Sequence, residues 1–387
     1  MTPARPEKAP TATTISTPRR ILYAGVVVLC SLAVALAGAE LFLRYQKKSI
    51  QQSDTMDPGL VIYDSHLGWK LAPRWQGGHR HHDFDVRYST NAYGFRGNFD
   101  ARGGGRVRYA VVGDSFTFGL GANDADTFVA RLNASAPAGR LYLNFGVPGY
   151  STDQEYILLR RRVFDFTPRV VMLVTYLGND LFDNQLPFPL QADHAKPYFE
   201  LAGGKLVLKN VPVPHVTKPP GQAAVDLRRV VLGELPPQRN TLLRRIGNTE
   251  LFQLVQRSLG LGTERRDLFP VFAKRFAGAL RLYDALLEQT RALCRRNEAR
   301  LVLVLLAGRS FVERPGSNSS QFQDFFRRRL ADTARRHGIA VLDLAAHLKR
   351  YSHEKDVRLY YPNEGHLTPE GNRVAAAFLA RRIDEVR

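Results

Sequence analysis

The segment Val111-Val112-Gly113-Asp114-Ser115-Phe116-Thr117-Phe118-Gly119 is an apolar run that ends in Gly-Asp-Ser and opens into a helix-like stretch. This pattern predicts a sharp turn from a buried strand into a helix. On such a turn the Ser115 hydroxyl lies at the carboxyl edge of the sheet, beside the amides of a helix N-terminus. The position suits a nucleophile, although Gly-Asp-Ser also forms ordinary turns.

Three further blocks follow in chain order. They are Asn144-Phe145-Gly146-Val147-Pro148-Gly149-Tyr150-Ser151-Thr152, Tyr176-Leu177-Gly178-Asn179-Asp180 and Pro362-Asn363-Glu364-Gly365-His366-Leu367-Thr368-Pro369-Glu370-Gly371. With these blocks, the chain from about Arg106 to Arg387 resembles the SGNH (GDSL-type) hydrolase family, which is named for Ser, Gly, Asn and His in four separated motifs. Four short motifs in family order are much more specific than any one of them.

The resemblance implies an acyl-transfer site built on a serine. Such chemistry needs a nucleophile, a base within hydrogen-bond reach, and donors where negative charge develops on the carbonyl oxygen. By resemblance, Ser115 is the nucleophile and His366 the general base. The oxyanion hole would combine the Ser115 and Gly149 backbone amides with the Asn179 side-chain amide. Gly149 lets the backbone approach the substrate without a Cβ in the way.

The sequence departs from the family at the triad acid. The family usually places an aspartate three residues before the histidine, where it orients the imidazole. Here that position is Asn363, and the carboxylate nearest in sequence is Glu364, two residues before His366. We expect Glu364 to accept the Nδ1 proton of His366. The alternative is a Ser–His dyad helped by a backbone carbonyl or by Asn363 Oδ1.

Two aspartates beside these motifs, Asp114 and Asp180, are expected to bond local backbone amides rather than substrate. Thr152-Asp153-Gln154-Glu155 has the spacing of a capping box, so we expect it to begin a helix.

From Val107 onward, apolar strand-like runs alternate with amphipathic helices. Strands are expected at Val107–Val112, Leu141–Asn144, Val170–Thr175, Leu301–Leu306 and Ala340–Leu342, and helices at about Thr127–Ala134, Thr152–Phe164, Phe272–Arg296, Ser320–His337 and Pro369–Ile383. The alternation predicts a parallel sheet covered on both faces. The resemblance implies an α/β fold, a three-layer α/β/α sandwich with a mostly parallel, flavodoxin-like five-stranded sheet. All four motifs then fall at the carboxyl ends of strands, where such sheets bind ligands.

The chain is divided by composition into four parts: a Pro/Thr-rich tail over 1–20 that is expected to be disordered, an anchor or signal segment over 21–43, an extended lead-in region over 44–105, and the hydrolase domain over 106–387. Within the last part lies an insertion at about 183–266, which begins just after Asn179. We interpret it as a substrate-selecting cap, with a packing elaboration as the alternative. One strand-like pair, Phe199–Leu201 and Leu206–Leu208, lies inside it.

The run from Ile21 to Ala39 has 19 residues without a charge. Its length fits a membrane-spanning helix. Small-residue triplets near its end, Ala35-Leu36-Ala37 and Ala37-Gly38-Ala39, also look like signal-peptidase sites, so secretion after signal cleavage is the alternative. We expect a single-pass protein of the bacterial inner membrane with an extracytoplasmic catalytic domain, although the flanking positive residues barely decide the orientation.

The net charge of +19 makes nucleic acid a candidate partner. The arginines are dispersed, however, and the sequence contains no zinc finger, RNA-recognition signature or basic zipper, so no nucleic-acid partner is expected. A basic surface instead favours an anionic membrane face or an anionic polysaccharide. The segment His79-Arg80-His81-His82-Asp83 is interpreted as a solvated loop. No metal and no cofactor are expected.

Three functions follow as hypotheses. The first is a serine esterase that removes a small acyl group, with acetyl as the expected one, from an extracytoplasmic glycan or lipid. The second is an O-acyltransferase that moves an acetyl group onto a polysaccharide, because one acyl-enzyme serves both reactions and exclusion of water decides between them. The third is a non-catalytic glycan-binding protein, which the neutral Asn363 motivates.

Overall fold

The computed structural model describes residues 16–100, 105–190, 192–217, 249–258 and 267–386. Most of the predicted tail, and residues 218–248 and 259–266 of the predicted insertion, lie outside the described residues. The chain divides into two units, one of residues 1–51 with 238–262 and one of residues 52–237 with 263–387.

The elements are numbered in chain order. The helices are α1 (Thr17–Gln52), α2 (Ser115–Phe118), α3 (Phe128–Ser135), α4 (Thr152–Arg161), α5 (Asp180–Asp183), α6 (Glu250–Ser258), α7 (Phe269–Arg275), α8 (Ala277–Arg296), α9 (Arg309–Glu313), α10 (Asn318–Arg336), α11 (Leu344–Lys355) and α12 (Pro369–Arg382). The strands are β1 (Thr55–Met56), β2 (Val61–Asp64), β3 (Gly68–Leu71), β4 (Gln76–His81), β5 (Phe84–Ser89), β6 (Val107–Gly113), β7 (Arg140–Gly146), β8 (Val170–Tyr176), β9 (Tyr198–Ala202), β10 (Lys205–Lys209), β11 (Arg300–Leu306) and β12 (Ala340–Leu342).

The first unit is built on α1, which runs without a break past the predicted end of the apolar segment. Its residues Thr17–Ile50 form a helix long and apolar enough to cross a membrane, and none of its most apolar stretch is buried by the rest of the protein. The Glu40 carboxylate accepts the backbone N–H of Leu251 at 2.9 Å and of Glu250 at 3.2 Å. The first turn of α6 is therefore capped by a side chain of α1.

Two small antiparallel sheets lie in the second unit before the central sheet. One has the strand order β1-β4-β5, and the other is the hairpin of β2 and β3. Along β5 the side chains of Phe84, Val86 and Tyr88 are buried and alternate with more exposed ones, as the two-residue period of a strand requires. The Tyr88 ring packs edge-on against Phe118 with 5.2 Å between centroids. The first small sheet therefore packs against the helix that begins at Ser115.

The central sheet has the strand order β7-β6-β8-β11-β12, and every neighbouring pair is parallel. In chain order this is 2-1-3-4-5, the flavodoxin-like arrangement. The strands are nearly continuous apolar runs because helices cover both faces. On one side α4 and α10 contact α8, and on the other α3 and α11 contact α12. The predicted three-layer α/β/α fold is confirmed.

All five predicted strands of this sheet are present, with ends that differ by a few residues. The helix expected over Phe272–Arg296 is divided into α7 and α8 at Phe276, and α11 was not expected. The prediction of a capping box at Thr152 is wrong in detail. The helix does begin there, but the Thr152 hydroxyl and the Glu155 carboxylate are buried without hydrogen-bond partners among the described residues. Tertiary burial overrides the local pattern at this position.

The order of the strands determines where in the sheet the site lies. Strand β6 lies between β7 and β8, so the chain leaves the first strand toward one edge and later crosses to the other. Loops that leave such neighbouring strands in opposite directions open a crevice at their carboxyl ends. Ser115 follows β6, Gly149 follows β7 and Asn179 follows β8, and all three therefore border this crevice.

Candidate active site

Ser115 is the first residue of the four-residue helix α2. The Asp114 carboxylate caps this helix by accepting the Phe116 N–H at 2.9 Å, as expected for a structural aspartate. Gly113 has no space for a side chain, since a Cβ there would lie 2.2 Å from Thr117 Oγ1. The turn from strand to helix is therefore tight, and it presents the Ser115 hydroxyl at the crevice.

His366 reaches Ser115 from the segment before α12. Its Nε2 atom lies 2.7 Å from Ser115 Oγ. The segment is held by an antiparallel bridge between Tyr360 and Leu367, and α12 begins next to it with Thr368 as N-cap. The Phe116 ring packs beside the imidazole at 4.3 Å between centroids. The serine and the histidine that are 251 positions apart in the chain thus form a hydrogen-bonded pair.

Glu364 holds the other side of the imidazole. Its Oε1 atom lies 2.5 Å from His366 Nδ1, and its Oε2 atom accepts the His366 backbone N–H at 2.9 Å. Burial by itself raises the pKa of this carboxyl, but hydrogen bonds and charge interactions with His366 outweigh it and hold the pKa below its ordinary value. A charged carboxylate at this position fixes the imidazole tautomer with the proton on Nδ1, leaving Nε2 to accept a proton.

Asn363 does not approach the imidazole nitrogens. Its side-chain amide donates to Asp83 Oδ1 at 2.7 Å, and its backbone N–H donates to Asp83 Oδ2 at 2.8 Å. The Glu364 backbone N–H donates to the same Oδ2 atom at 2.9 Å. Of the two alternatives in the sequence, the structure therefore places Glu364 against His366 and gives Asn363 a different partner.

The interpretation of residues 79–83 as a solvated loop is wrong for His79, His81 and Asp83, whereas Arg80 and His82 are exposed. His79 is 5% exposed and lies in β4, with Nδ1 2.7 Å from the Tyr88 hydroxyl and Nε2 2.8 Å from Asp54 Oδ1. The side chains of His81 and Asp83 are 7% and 4% exposed. The composition of the segment resembles that of a loop, but the polar groups of His79 and Asp83 bond to partners elsewhere in the chain.

Gly149 lies in the loop after β7 with φ +80°, a conformation that favours glycine. The Trp69 indole lies against it, since a Cβ on Gly149 would be 3.2 Å from Trp69 Cζ2. The indole nitrogen donates to the Pro148 carbonyl at 3.0 Å. Among the described residues, neither the Gly149 amide nor the Ser115 amide has a protein acceptor, so both are available to an oxygen in the crevice.

Asn179 is buried at the N-terminus of α5. Its Nδ2 atom donates to Asp183 Oδ2 at 2.5 Å. Burial raises the pKa of the Asp183 carboxyl to about 6, against the hydrogen bond from Asn179 and the charge of Lys196, which lower it. The amide has a second Nδ2 hydrogen, and Asp183 fixes the direction in which it points.

A group of buried carboxyls lies under these loops. Burial raises the pKa of Asp114 to about 6, and it raises the pKa of Glu155 and Asp180 well above the ordinary range, where repulsion between the carboxyls adds to the effect. Asp180 also accepts the Tyr176 N–H at 2.7 Å, as expected. Next to them Asp153 forms an ion pair with Lys196, and both side chains are fully buried.

Three residues of the site have no motif in the sequence: Asp83, Asp183 and Trp69. Each contacts a predicted site residue or its neighbour, but Asp83 and Trp69 belong to the lead-in region and are far from the motifs in the chain. In the described ranges, no group of three or more His, Cys, Asp or Glu side chains is arranged to hold a metal ion.

Comparison with known proteins gives one family match. Residues 111–374 match the model of the GDSL-like Lipase/Acylhydrolase family. No curated protein matches the chain.

Several solved structures resemble parts of the chain. A putative lipolytic protein of the G-D-S-L family from Desulfitobacterium hafniense is 14% identical, with 71% of this chain and 99% of that chain covered and a TM-score of 0.35. A catalytic mutant of an acetylxylan esterase from Geobacillus stearothermophilus is 13% identical, with 73% and 96% covered and a TM-score of 0.40. A member of the lipolytic G-D-S-L family from Veillonella parvula is 11% identical, with 71% and 97% covered and a TM-score of 0.35. Such weak likenesses carry no information about the substrate of this chain.

Proposed function

The chain belongs to the GDSL-like lipase/acylhydrolase family of ester-hydrolysing enzymes, and we propose that it is a serine esterase in which Ser115, His366 and Glu364 form the catalytic triad. The observation that carries the proposal is the hydrogen-bonded line through the imidazole. Ser115 Oγ lies 2.7 Å from Nε2 of His366, and Glu364 Oε1 lies 2.5 Å from Nδ1. A nucleophile, a base and an orienting carboxylate are thus within reach of one another.

In the first half of the reaction, Ser115 Oγ attacks the acyl carbonyl while His366 Nε2 takes the serine proton. Glu364 stabilises the imidazolium that forms. The negative charge on the carbonyl oxygen is met by the backbone amides of Ser115 and Gly149 and by the Asn179 side chain. The proton on Nε2 then passes to the leaving alcohol, and an acyl-serine remains. Water, deprotonated by the same histidine, releases the acid.

The side chains around the oxyanion loop support a small acyl group. Trp69 lies against Gly149, and the Phe116 ring contacts His366 and Tyr176 with centroid distances of 4.3 Å and 4.6 Å. We take these rings, which lie beside residues of the proposed triad and oxyanion hole, to limit the size of the acyl group. An acetyl ester is therefore the substrate that we expect to react fastest.

A cleft beside Trp69 supports a glycan rather than a lipid as the alcohol part. It has a volume of about 110 Å³ and includes Tyr63, His194 and His215 in its lining. The Tyr63 and His215 rings are stacked with 4.5 Å between centroids, and Tyr63 is 41% exposed. Flat ring faces with polar tips bind the apolar faces and hydroxyls of sugar rings. The described start of the insertion, with His194 in the lining of this cleft, is in keeping with a substrate-selecting role.

The position at a membrane is part of the same proposal. Helix α1 has the length and composition of a single span, and we place the catalytic unit on the extracytoplasmic side of the membrane. The positive charge of the chain then favours an anionic membrane face or an acidic polysaccharide.

The test is hydrolysis of p-nitrophenyl esters by the detergent-solubilised full chain, beside its Ser115→Ala variant. We expect acetate to be hydrolysed faster than butyrate and octanoate, and the variant to lose the activity. Equal rates in both proteins would refute the proposal. A large increase of acetyl consumption on addition of polysaccharide, with the acetyl group recovered on the sugar, would instead identify the O-acyltransferase.

A further inference from the structure

The carboxylate of Asp83 accepts three hydrogen bonds from the segment that carries the triad acid. Asp83 lies in the turn between β4 and β5, and its two oxygens meet the Asn363 amide, the Asn363 backbone N–H and the Glu364 backbone N–H, at 2.7 to 2.9 Å. Its side chain is 4% exposed. Burial alone raises the pKa of this carboxyl, but these hydrogen bonds hold the pKa below its ordinary value. It is therefore a charged acceptor with three donors.

The backbone conformation of the segment that Asp83 contacts depends on contacts with other parts of the chain. Gly365 separates Glu364 from His366 with φ +96°, and no atom outside its chain neighbours lies within 4 Å of where its Cβ would be. A glycine in open space has a wide choice of backbone conformations. The short connection between acid and base thus does not fix the Glu364 carboxylate by itself, although both carboxylate oxygens must meet His366 donors at the same time.

We propose that Asp83 is a positioning residue, which fixes the backbone of Asn363 and Glu364 so that the Glu364 carboxylate meets His366. In this arrangement Asn363 has a function of its own as the amide partner of Asp83. The inference rests on the proposed triad. It adds to the catalytic apparatus a residue from the lead-in region, which lies before the segment that matches the hydrolase family.

A second contact keeps the two segments together when the Asp83 carboxylate is changed. The Phe84 ring packs on Tyr361 with 5.2 Å between centroids, and the Tyr361 hydroxyl donates to the Gly121 carbonyl at 2.9 Å. Phe84 is buried, and its packing does not depend on the charge of its neighbour. We therefore expect Asp83→Ala to fold, with the hairpin of β4 and β5 still docked.

The experiment compares Asp83→Ala with Asp85→Ala in the full chain. Asp85 lies on the same hairpin, but its side chain is 65% exposed and pairs with Arg80. Alanine at position 83 removes the acceptor of all three hydrogen bonds, so we expect Asp83→Ala to lower kcat for p-nitrophenyl acetate by about 10- to 100-fold, because displacement of catalytic groups by about 1 Å costs that much. The KM should change by less than about twofold, and Asp85→Ala should match the wild type.

The conservative variant Asp83→Asn separates positioning from folding. The amide oxygen introduced at position 83 can still accept the backbone N–H groups of Asn363 and Glu364, and its nitrogen can donate to the Asn363 side-chain oxygen once that amide rotates. We expect the kcat of Asp83→Asn to recover at least about fivefold over Asp83→Ala, with both rates measured well below the melting temperature of either variant.

Two results would overturn the inference: a kcat of Asp83→Ala equal to that of the wild type, or a melting temperature that falls along with kcat and no recovery in Asp83→Asn. A Ser115→Ala variant measured in parallel distinguishes this outcome from failure of the proposed function. If Ser115→Ala is inactive and Asp83→Ala is fully active, the triad stands and the positioning role is lost.

Discussion

Asp183 fixes the amide of Asn179 through a hydrogen bond of 2.5 Å between Asp183 Oδ2 and Asn179 Nδ2. Both side chains are buried, and the Asn179 Oδ1 atom has no partner among the described residues. The bond distinguishes the nitrogen from the oxygen of the amide, since a carboxylate accepts only from the nitrogen. The proposed role of Asn179 as an oxyanion donor requires its second Nδ2 hydrogen to be held in one direction, without reorganisation during the reaction.

Asn179→Ala should therefore lower kcat by about 10²- to 10³-fold, the usual loss when one oxyanion donor is removed. The steady-state rate with p-nitrophenyl acetate measures it. Asn297→Ala, which alters an amide at the end of α8 bonded to the Leu293 carbonyl, is the control. A loss of less than about threefold in Asn179→Ala would remove this residue from the oxyanion hole.

Glu364→Gln keeps the shape of the triad acid and removes its charge. We expect kcat to fall by about 10²- to 10⁴-fold, because a neutral amide no longer stabilises the imidazolium and can hold the wrong tautomer. Glu370→Gln, which alters an exposed carboxylate paired with Arg373, should have the wild-type rate. Retention of the wild-type rate by Glu364→Gln would favour a Ser–His dyad.

The buried carboxyls predict an unusual dependence of stability on pH. Burial raises the pKa of Asp114 and Asp183 to about 6 in the folded protein, while the same groups in the unfolded chain have values near 3.8. Between these values the folded state retains protons that the unfolded state releases, so the free energy of unfolding falls as the pH rises through this window. We expect the melting temperature to be higher at pH 5 than at pH 7, as thermal unfolding followed by circular dichroism would show.

The variant Glu155→Gln tests the same group of buried carboxyls by making one of them neutral at every pH. Burial raises the pKa of Glu155 well above its ordinary value, and neither carboxyl oxygen has a partner among the described residues. A neutral amide of the same shape avoids the cost of ionisation, so the variant should be at least as stable as the wild type above neutral pH. Its melting temperature should also depend less on pH, whereas that of Glu288→Gln, which alters an exposed residue of α8, should follow the wild type.

Lys196→Met should be strongly destabilising. Lys196 pairs with Asp153 where both side chains are fully buried, so its removal leaves a buried carboxylate without its counter-ion. The expected loss in the free energy of unfolding is about 3–5 kcal/mol. Urea unfolding monitors this loss, with Lys205→Met on the exposed end of β10 as the control. A loss below about 1 kcal/mol would show that the ion pair is not needed for stability.

Local patterns predicted the sheet, which the structure confirms, and they indicated four of the candidate site residues. Each strand of the central sheet is an apolar run followed by turn residues, and Ser115, Gly149, Asn179 and His366 each lie in a short motif. Glu364 was predicted because it is the carboxylate nearest to His366 in the sequence. These properties are encoded within a few residues, so they are visible without knowledge of the fold.

The residues that hold the site residues in place could not be identified from local sequence patterns. Asp83 lies in a histidine-rich segment that resembles a solvated loop, and its partners are 280 positions further along the chain. Glu155 fits the spacing of a capping box, but the folded chain places it in a buried acidic environment. Such contacts depend on how segments that are distant in the sequence pack together, and local periodicity in the sequence does not predict that packing.

The contact between Asp83 and Asn363 also bears on how this protein can be divided and recombined. The segment that matches the family begins at residue 111, and a fragment cut there would retain every named motif yet lack the acceptor of the Asn363 and Glu364 amides. Chimeras that exchange catalytic modules between relatives must therefore inherit position 83 and position 363 together.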